Sequence, residues 1–116
     1  MSKHGIIQLS EFDITQKIIE SLSNVCTRSV LFSVKNESKD ATQIADELKI
    51  SLSTVYKTLS TLEDLALAEI DRYVISPEGK KIKLYRSRIG KVEITLDNLK
   101  PTLILHPNNS NPKISN

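Results

Sequence analysis

Residues 40–67 read DATQIADELKISLSTVYKTLSTLEDLAL. Ile44, Ala45 and Leu48 recur at helical spacing, and so do Val55, Leu59, Leu62 and Leu65. The first set predicts a helix over 42–49, which Asp40 or Ser38 is placed to cap. Ile50-Ser51-Leu52 makes a turn, and a second helix runs from about residue 53 to 65 with Ser51 or Ser53 as its cap. The small Ala45 lets that second helix cross the first closely. Two short helices joined by a tight turn, over residues 40–66, outline a helix-turn-helix. Nucleic acid is therefore the first partner to consider.

The flanking sequence supplies packing for this unit. Upstream, Phe12, Ile14, Ile18, Ile19 and Leu22 line one side of a helix over 11–23, with Ser10 as N-cap and Asp13 completing a capping-box pattern. That face serves either the core of the chain or contact with a second copy. In the second case Phe12, Ile18, Ile19 and Leu22 form the interface of a homodimer, with the later run Val92, Ile94 and Leu96 as its companion or its alternative. A further helix spans about 24–35, with Val30, Leu31 and Val34 inward and Arg28 outward. Downstream, residues 67–75 alternate in polarity. Ser76-Pro77-Glu78-Gly79 is a turn, and residues 80–88 alternate again, which predicts a hairpin. Ile82, Leu84 and Arg86 fall on one face of its second strand, and Lys81, Lys83 and Tyr85 on the other. Val92, Ile94 and Leu96 form another alternating run, and residues 102–105 a short strand. The domain is expected over 11–105, with tails at 1–10 and 106–116, the latter disordered for want of core-forming residues.

Charge is distributed unevenly. The total is only +2. From Glu37 to Asp71, however, three basic residues (Lys39, Lys49, Lys57) stand against eight acidic ones. From Arg72 to Lys91, seven basic residues (Arg72, Lys80, Lys81, Lys83, Arg86, Arg88, Lys91) stand against Glu78 alone. Such asymmetry carries more information about partners than the total does.

Other classes of function find little footing. Cys26 is the only cysteine, so an intrachain disulfide is excluded, and its place on an apolar helix suits a small core residue. His4 and His106 lie near opposite ends, there is no glycine-rich phosphate loop, and no nucleophile–base pair is evident. An enzyme, a metal site and a cofactor are not expected. No apolar run approaches the ~20 residues of a membrane span, and the N-terminus lacks a secretory pattern, so the expectation is a cytoplasmic protein without a membrane partner.

The order helix, helix, helix-turn-helix, basic hairpin resembles a winged-helix DNA-binding domain. Residues 22–88 are similar to the ArsR-like and archaeal TrmB-like transcription regulators. LSNVCTRSVLFSV (22–34) resembles the family's first helix. TQIADELKISLSTVYKTLSTLEDLAL (42–67) resembles its core motif, with Ala45 at the small position and Ser53-Thr54-Val55 opening the recognition helix. Residues 72–88 match the wing.

The resemblance implies an α+β fold: a winged helix-turn-helix (wing 67–89) with an extra N-terminal helix and a C-terminal strand extension. It implies double-stranded DNA as partner. Ser51, Ser53, Thr54, Tyr56, Lys57 and Ser60 would face the major groove, and Lys80, Lys81, Lys83, Arg86 and Arg88 the phosphate backbone. The chain departs from the pattern at Ala66, where the family places a left-handed glycine. It also lacks the cysteine motif of the metal-sensing members, since 49–54 holds no Cys or His. No small-molecule effector is indicated. The competing interpretation is a winged-helix module that binds protein and not DNA, because fold does not fix function. It draws on the acidic balance of the helix-turn-helix.

Overall fold

Four helices and two antiparallel strand pairs make up an α+β fold, seen in a computed structural model that describes residues 14–109. The tail at 1–10, the capping pair Ser10 and Asp13, Phe12, and residues 110–116 lie outside the described residues. Helix α1 is described over 14–23. It is followed by α2 (Val25–Ser33), α3 (Ala41–Leu48) and α4 (Leu52–Asp64). The strands are β1 (Ala68–Ile75), β2 (Lys81–Ser87), β3 (Ile89–Thr95) and β4 (Thr102–Pro107).

The helix ends are set by side chains the sequence places there. Asn24 caps α2 by accepting from Thr27 N–H at 3.0 Å. Arg28 reaches back from α2 to the carbonyls of Leu22 (2.9 Å) and Ser23 (3.1 Å), two acceptors that the end of α1 leaves open. Asp40, not Ser38, caps α3, in a reciprocal capping box with Gln43. Ser51, not Ser53, caps α4.

The end of α4 resolves the departure at Ala66. Leu67 N–H donates to Leu62 O at 2.8 Å, and Ala66 N–H to Glu63 O at 2.9 Å. This is a Schellman motif with the buried pair Leu62 and Leu67 closing it. Ala66 sits at φ 60 where glycine would be unstrained, and Lys49 at the end of α3 is left-handed too, at φ 57.

The core is built by Val30, Leu31 and Val34 of α2, Ile44 and Ala45 of α3, and Val55, Leu59 and Leu62 of α4. Ile18 and Leu22 of α1 join it. The face of α1 expected to serve either the core or a second copy is thus turned into the chain's own interior. Ile19 is half-buried, and Ile14 is the apolar residue of α1 left exposed.

β1 and β2 pair antiparallel, with a register shift between Ile70 and Arg72 that leaves Asp71 as the extra residue. Asp71 accepts from Ser38 Oγ at 2.7 Å and pairs with Arg72 at 2.7 Å. Tyr85 was expected to share the charged face of Lys81 and Lys83. It is buried instead, 4% exposed, and its backbone pairs with Lys39. Strand alternation sorts residues by face, but a face is exposed only where it runs past the core. Lys81 and Lys83 lie beyond it, and Tyr85 lies over it.

β3 and β4 form a second antiparallel pair, shifted in register at Gly90. A Cβ on Gly90 would meet Pro107 O at 3.1 Å and Asn108 Cα at 3.3 Å, so the close approach of the two strands requires glycine. The boundary expected at His106 does not hold. His106 and Pro107 belong to β4, and Asn108 donates through Nδ2 to Lys35 O and Ser87 O, each at 2.9 Å. The segment has few apolar residues, but open backbone partners and one amide suffice to fix it. His106 Nε2 lies 2.6 Å from Glu93 Oε2; that hydrogen bond, with Lys91 nearby, holds the Glu93 carboxyl below its usual range.

Replacing Ala66 with Gly relieves the left-handed strain and should raise stability by up to about 1 kcal/mol, after the added freedom of the unfolded chain is offset. Urea unfolding followed by circular dichroism measures it. An unchanged or lower midpoint contradicts the strain argument.

Candidate nucleic-acid interface

The face of α4 opposite the core is polar because its inward stripe uses every fourth or third position. Val55, Leu59 and Leu62 are fully buried. Ser53, Thr54, Tyr56, Lys57 and Ser60 are exposed on the other side, and Ser51 is exposed at the cap. The hydroxyls at the helix start are bonded to one another. Ser51 Oγ accepts from Thr54 N–H at 3.1 Å, donates to Thr54 Oγ1 at 2.7 Å, and lies 3.2 Å from Ser53 Oγ. Ser51 is therefore held first as a cap with Ser53 beside it, while among the described residues no side-chain hydrogen bond is seen for Tyr56, Lys57 or Ser60.

The hairpin brings its lysines to the same side. Its tip is closed by Ser76 N–H to Lys80 O (2.8 Å), Lys80 N–H to Ser76 Oγ (3.0 Å) and Gly79 at φ 85. Lys81 Nζ sits 4.5 Å from the centroid of the Tyr73 ring, a cation–π contact that orients it. Lys80, Lys81, Ile82 and Lys83 form one wall of a cleft of about 470 Å3. The other walls are Tyr56 of α4, Tyr85, and Asp40, Ala41 and Thr42 at the start of α3. Ala41 and Thr42 open a helix whose first N–H groups have no intrahelical partner. Burial raises the pKa of the Tyr85 phenol, and Glu63, Tyr56 and Tyr73 add to the rise, so the ring stays neutral in the cleft.

Of the residues singled out from sequence, Tyr56, Lys80, Lys81 and Lys83 meet around this cleft. Arg86 and Arg88 do not line it. They lie at the base of the hairpin, where Arg86 stands opposite Glu69 in register and Arg88 pairs with Glu69 at 3.8 Å. Thr42 and Tyr85 are cleft residues that sequence reasoning passed over. Thr42 had a signal, since it is the second residue after the predicted cap Asp40. Among the described residues, no group of three or more His, Cys, Asp or Glu is arranged to hold a metal ion. No described helix is long and apolar enough to cross a membrane.

Comparison with protein-family models found no match, and comparison with curated proteins found none either.

Ser51→Ala should lower stability by about 1 kcal/mol, because an N-cap oxygen is lost. Ser53→Ala should cost less, about 0.5 kcal/mol, because it removes only an exposed hydroxyl–hydroxyl bond to Ser51 and leaves the cap bond in place. Thermal or urea unfolding of the two variants checks the pair. Equal losses would reassign the cap.

Proposed function

We propose that this chain is a DNA-binding transcription regulator built as a winged helix-turn-helix. The cleft shared by Tyr56 and Lys80, Lys81 and Lys83 carries the proposal, because it joins the exposed face of α4 to the basic hairpin in one surface. The arrangement is compatible with a winged helix: α3 and α4 are joined by a short turn, and β1–β2 form the wing. The strand-like residue before α3, Lys39, pairs with the second wing strand.

In this reading the N-terminal half of α4 enters the major groove, which at ~12 Å admits one helix. Ser53, Thr54, Tyr56, Lys57 and Ser60 face the base edges and flanking phosphates. Lys80, Lys81 and Lys83 straddle a phosphate strand that runs along the cleft and outweigh the single carboxylate in its lining, Asp40, which caps α3. α4 contains one Lys and no Arg, Asn or Gln. The bidentate base contacts that discriminate most strongly are absent from it. Positioning comes mainly from the wing, and sequence discrimination is modest.

A protein-binding module is the second reading, favoured by the acidic balance of residues 37–71. Exposed Asp46 and Glu63 belong to that balance.

Titration of duplex DNA by fluorescence anisotropy at several salt concentrations decides between them. With Lys57, Lys80, Lys81 and Lys83 neutralising phosphates, log K should fall against log salt with a slope of about −3 to −4 per protomer. Replacing Lys80, Lys81 and Lys83 together with Ala should weaken binding on all sequences and flatten the slope by about 2 to 3. No binding at low salt, or a slope near zero, favours the protein-binding module.

A further inference from the structure

The chain has three tyrosines and no tryptophan, and the three tyrosines gather at one place. Tyr56 of α4 and Tyr85 of β2 line the cleft together with Lys80, Lys81 and Lys83. Tyr73 of β1 adjoins it, with Lys81 Nζ 4.5 Å from its ring centroid. The bulge at Asp71 brings Tyr73 there. Strict alternation along β1 would put Tyr73 on the face of Glu69 and Asp71. The register shift instead sets Ile70 opposite Tyr85, Tyr73 opposite Lys83 and Ile75 opposite Lys81. Tyr73 therefore shares a face with Tyr85 and two of the lysines.

Of the three rings, only Tyr85 serves the core. Tyr56 is 53% exposed and Tyr73 47% exposed. Among the described residues, Lys80, Lys81 and Lys83 form no ion pair. Two open rings beside three uncommitted cations fit a ligand with a flat apolar surface and an anion a few bonds away. A nucleotide is such a ligand. In a duplex the bases cover one another's faces and show only their edges in the grooves. Helix α4 is poorly equipped to read edges, with one Lys and no Arg, Asn or Gln. An unpaired base shows its face, and an aromatic ring stacks on it whatever the sequence.

We propose that the cleft binds an unpaired stretch of single-stranded DNA, with bases stacked on Tyr56 and Tyr73 and phosphates held by Lys80, Lys81 and Lys83. The inference rests on the reading that this cleft takes a DNA backbone, and it adds a use of base faces that duplex binding does not require.

The test titrates the full chain with three labelled probes followed by anisotropy: an oligo(dT) of about 16 nucleotides, a strand of the same length whose sugars carry no bases, and a duplex. Oligo(dT) should bind roughly tenfold or more tighter than the base-free strand. Tyrosine emission reports this cluster alone, since the chain has no tryptophan and its three tyrosines all lie here. Unlabelled oligo(dT) should quench it, and the base-free strand should not. Tyr56→Ala and Tyr73→Ala should each weaken oligo(dT) by roughly five- to a hundredfold with unchanged circular dichroism, and Tyr→Phe at either position should restore most of the affinity. If an alanine variant unfolds, the base-free comparison and the quenching of the unaltered chain decide. Equal affinity for the two single strands, binding without quenching, or a folded alanine variant with unaltered affinity overturns the inference. Binding to duplex but not to oligo(dT) overturns it alone, whereas no binding to any of the three probes removes the DNA reading as well.

Discussion

The pairing of Lys39 with Tyr85 is the constraint on which the rest of the molecule depends. Lys39 N–H donates to Tyr85 O at 3.2 Å, and Tyr85 N–H to Lys39 O at 2.8 Å. These two bonds tie the strand that carries the lysines to the residue just before the cap of α3. Ser87 N–H to Val34 O (3.0 Å) and Arg88 N–H to Leu67 O (2.9 Å) add two anchors at the hairpin base. The buried Tyr85 ring extends the clamp into the core. A two-stranded hairpin alone is marginal in water. These anchors hold its second strand against the start of α3, and the cleft beside α4 lies between them.

The clamp also changes the meaning of the charge distribution. The acidic excess of residues 37–71 is large along the sequence but partly neutralised in space. Lys39 pairs with Glu47 at 2.8 Å, Arg72 with Asp71, and Arg88 with Glu69. Each pair has at least one half-exposed partner, so each contributes little stability individually. Their effect is to divide the cations into two groups. Arg72, Arg88 and Lys39 are engaged with carboxylates. Lys57, Lys80, Lys81 and Lys83 form no ion pair among the described residues and are available to an external anion. A winged helix that binds DNA through these four would rely on placement more than on total charge.

Helices α3 and α4 were legible in the sequence because each has a single apolar stripe and a capping residue. Val55, Leu59 and Leu62 were placed correctly by spacing alone, and the residues flanking α3 and α4 offered two caps each, of which the structure uses Asp40 and Ser51. The strained turn at Ala66 was legible as a conflict between residue type and position. Long-range backbone pairing was not. Nothing in KNESKD indicates that Lys39 pairs with a residue 46 positions away, and without that pairing the buried Tyr85 reads as a member of a charged face. The tail boundary failed for the same reason. HPN has no apolar pattern, yet β3 offers it an open edge and Asn108 finds two carbonyls. The bonds from Arg28 to the end of α1 are equally invisible to a reading based on periodicity. Of the candidate site, the lysines and Tyr56 could be named from sequence, but their sharing a cleft with Thr42 could not.

The central claim is that α4 and the β1–β2 hairpin act as one surface for a nucleic-acid duplex. Titrating isotope-labelled protein with duplex DNA and following backbone amide shifts tests it most directly. The account predicts that amides of Ser53 to Lys57 and of Lys80 to Lys83 shift together, with one apparent Kd, and that Thr42 moves with them. Shifts confined to one of the two elements, or an absence of shifts in both, would contradict it.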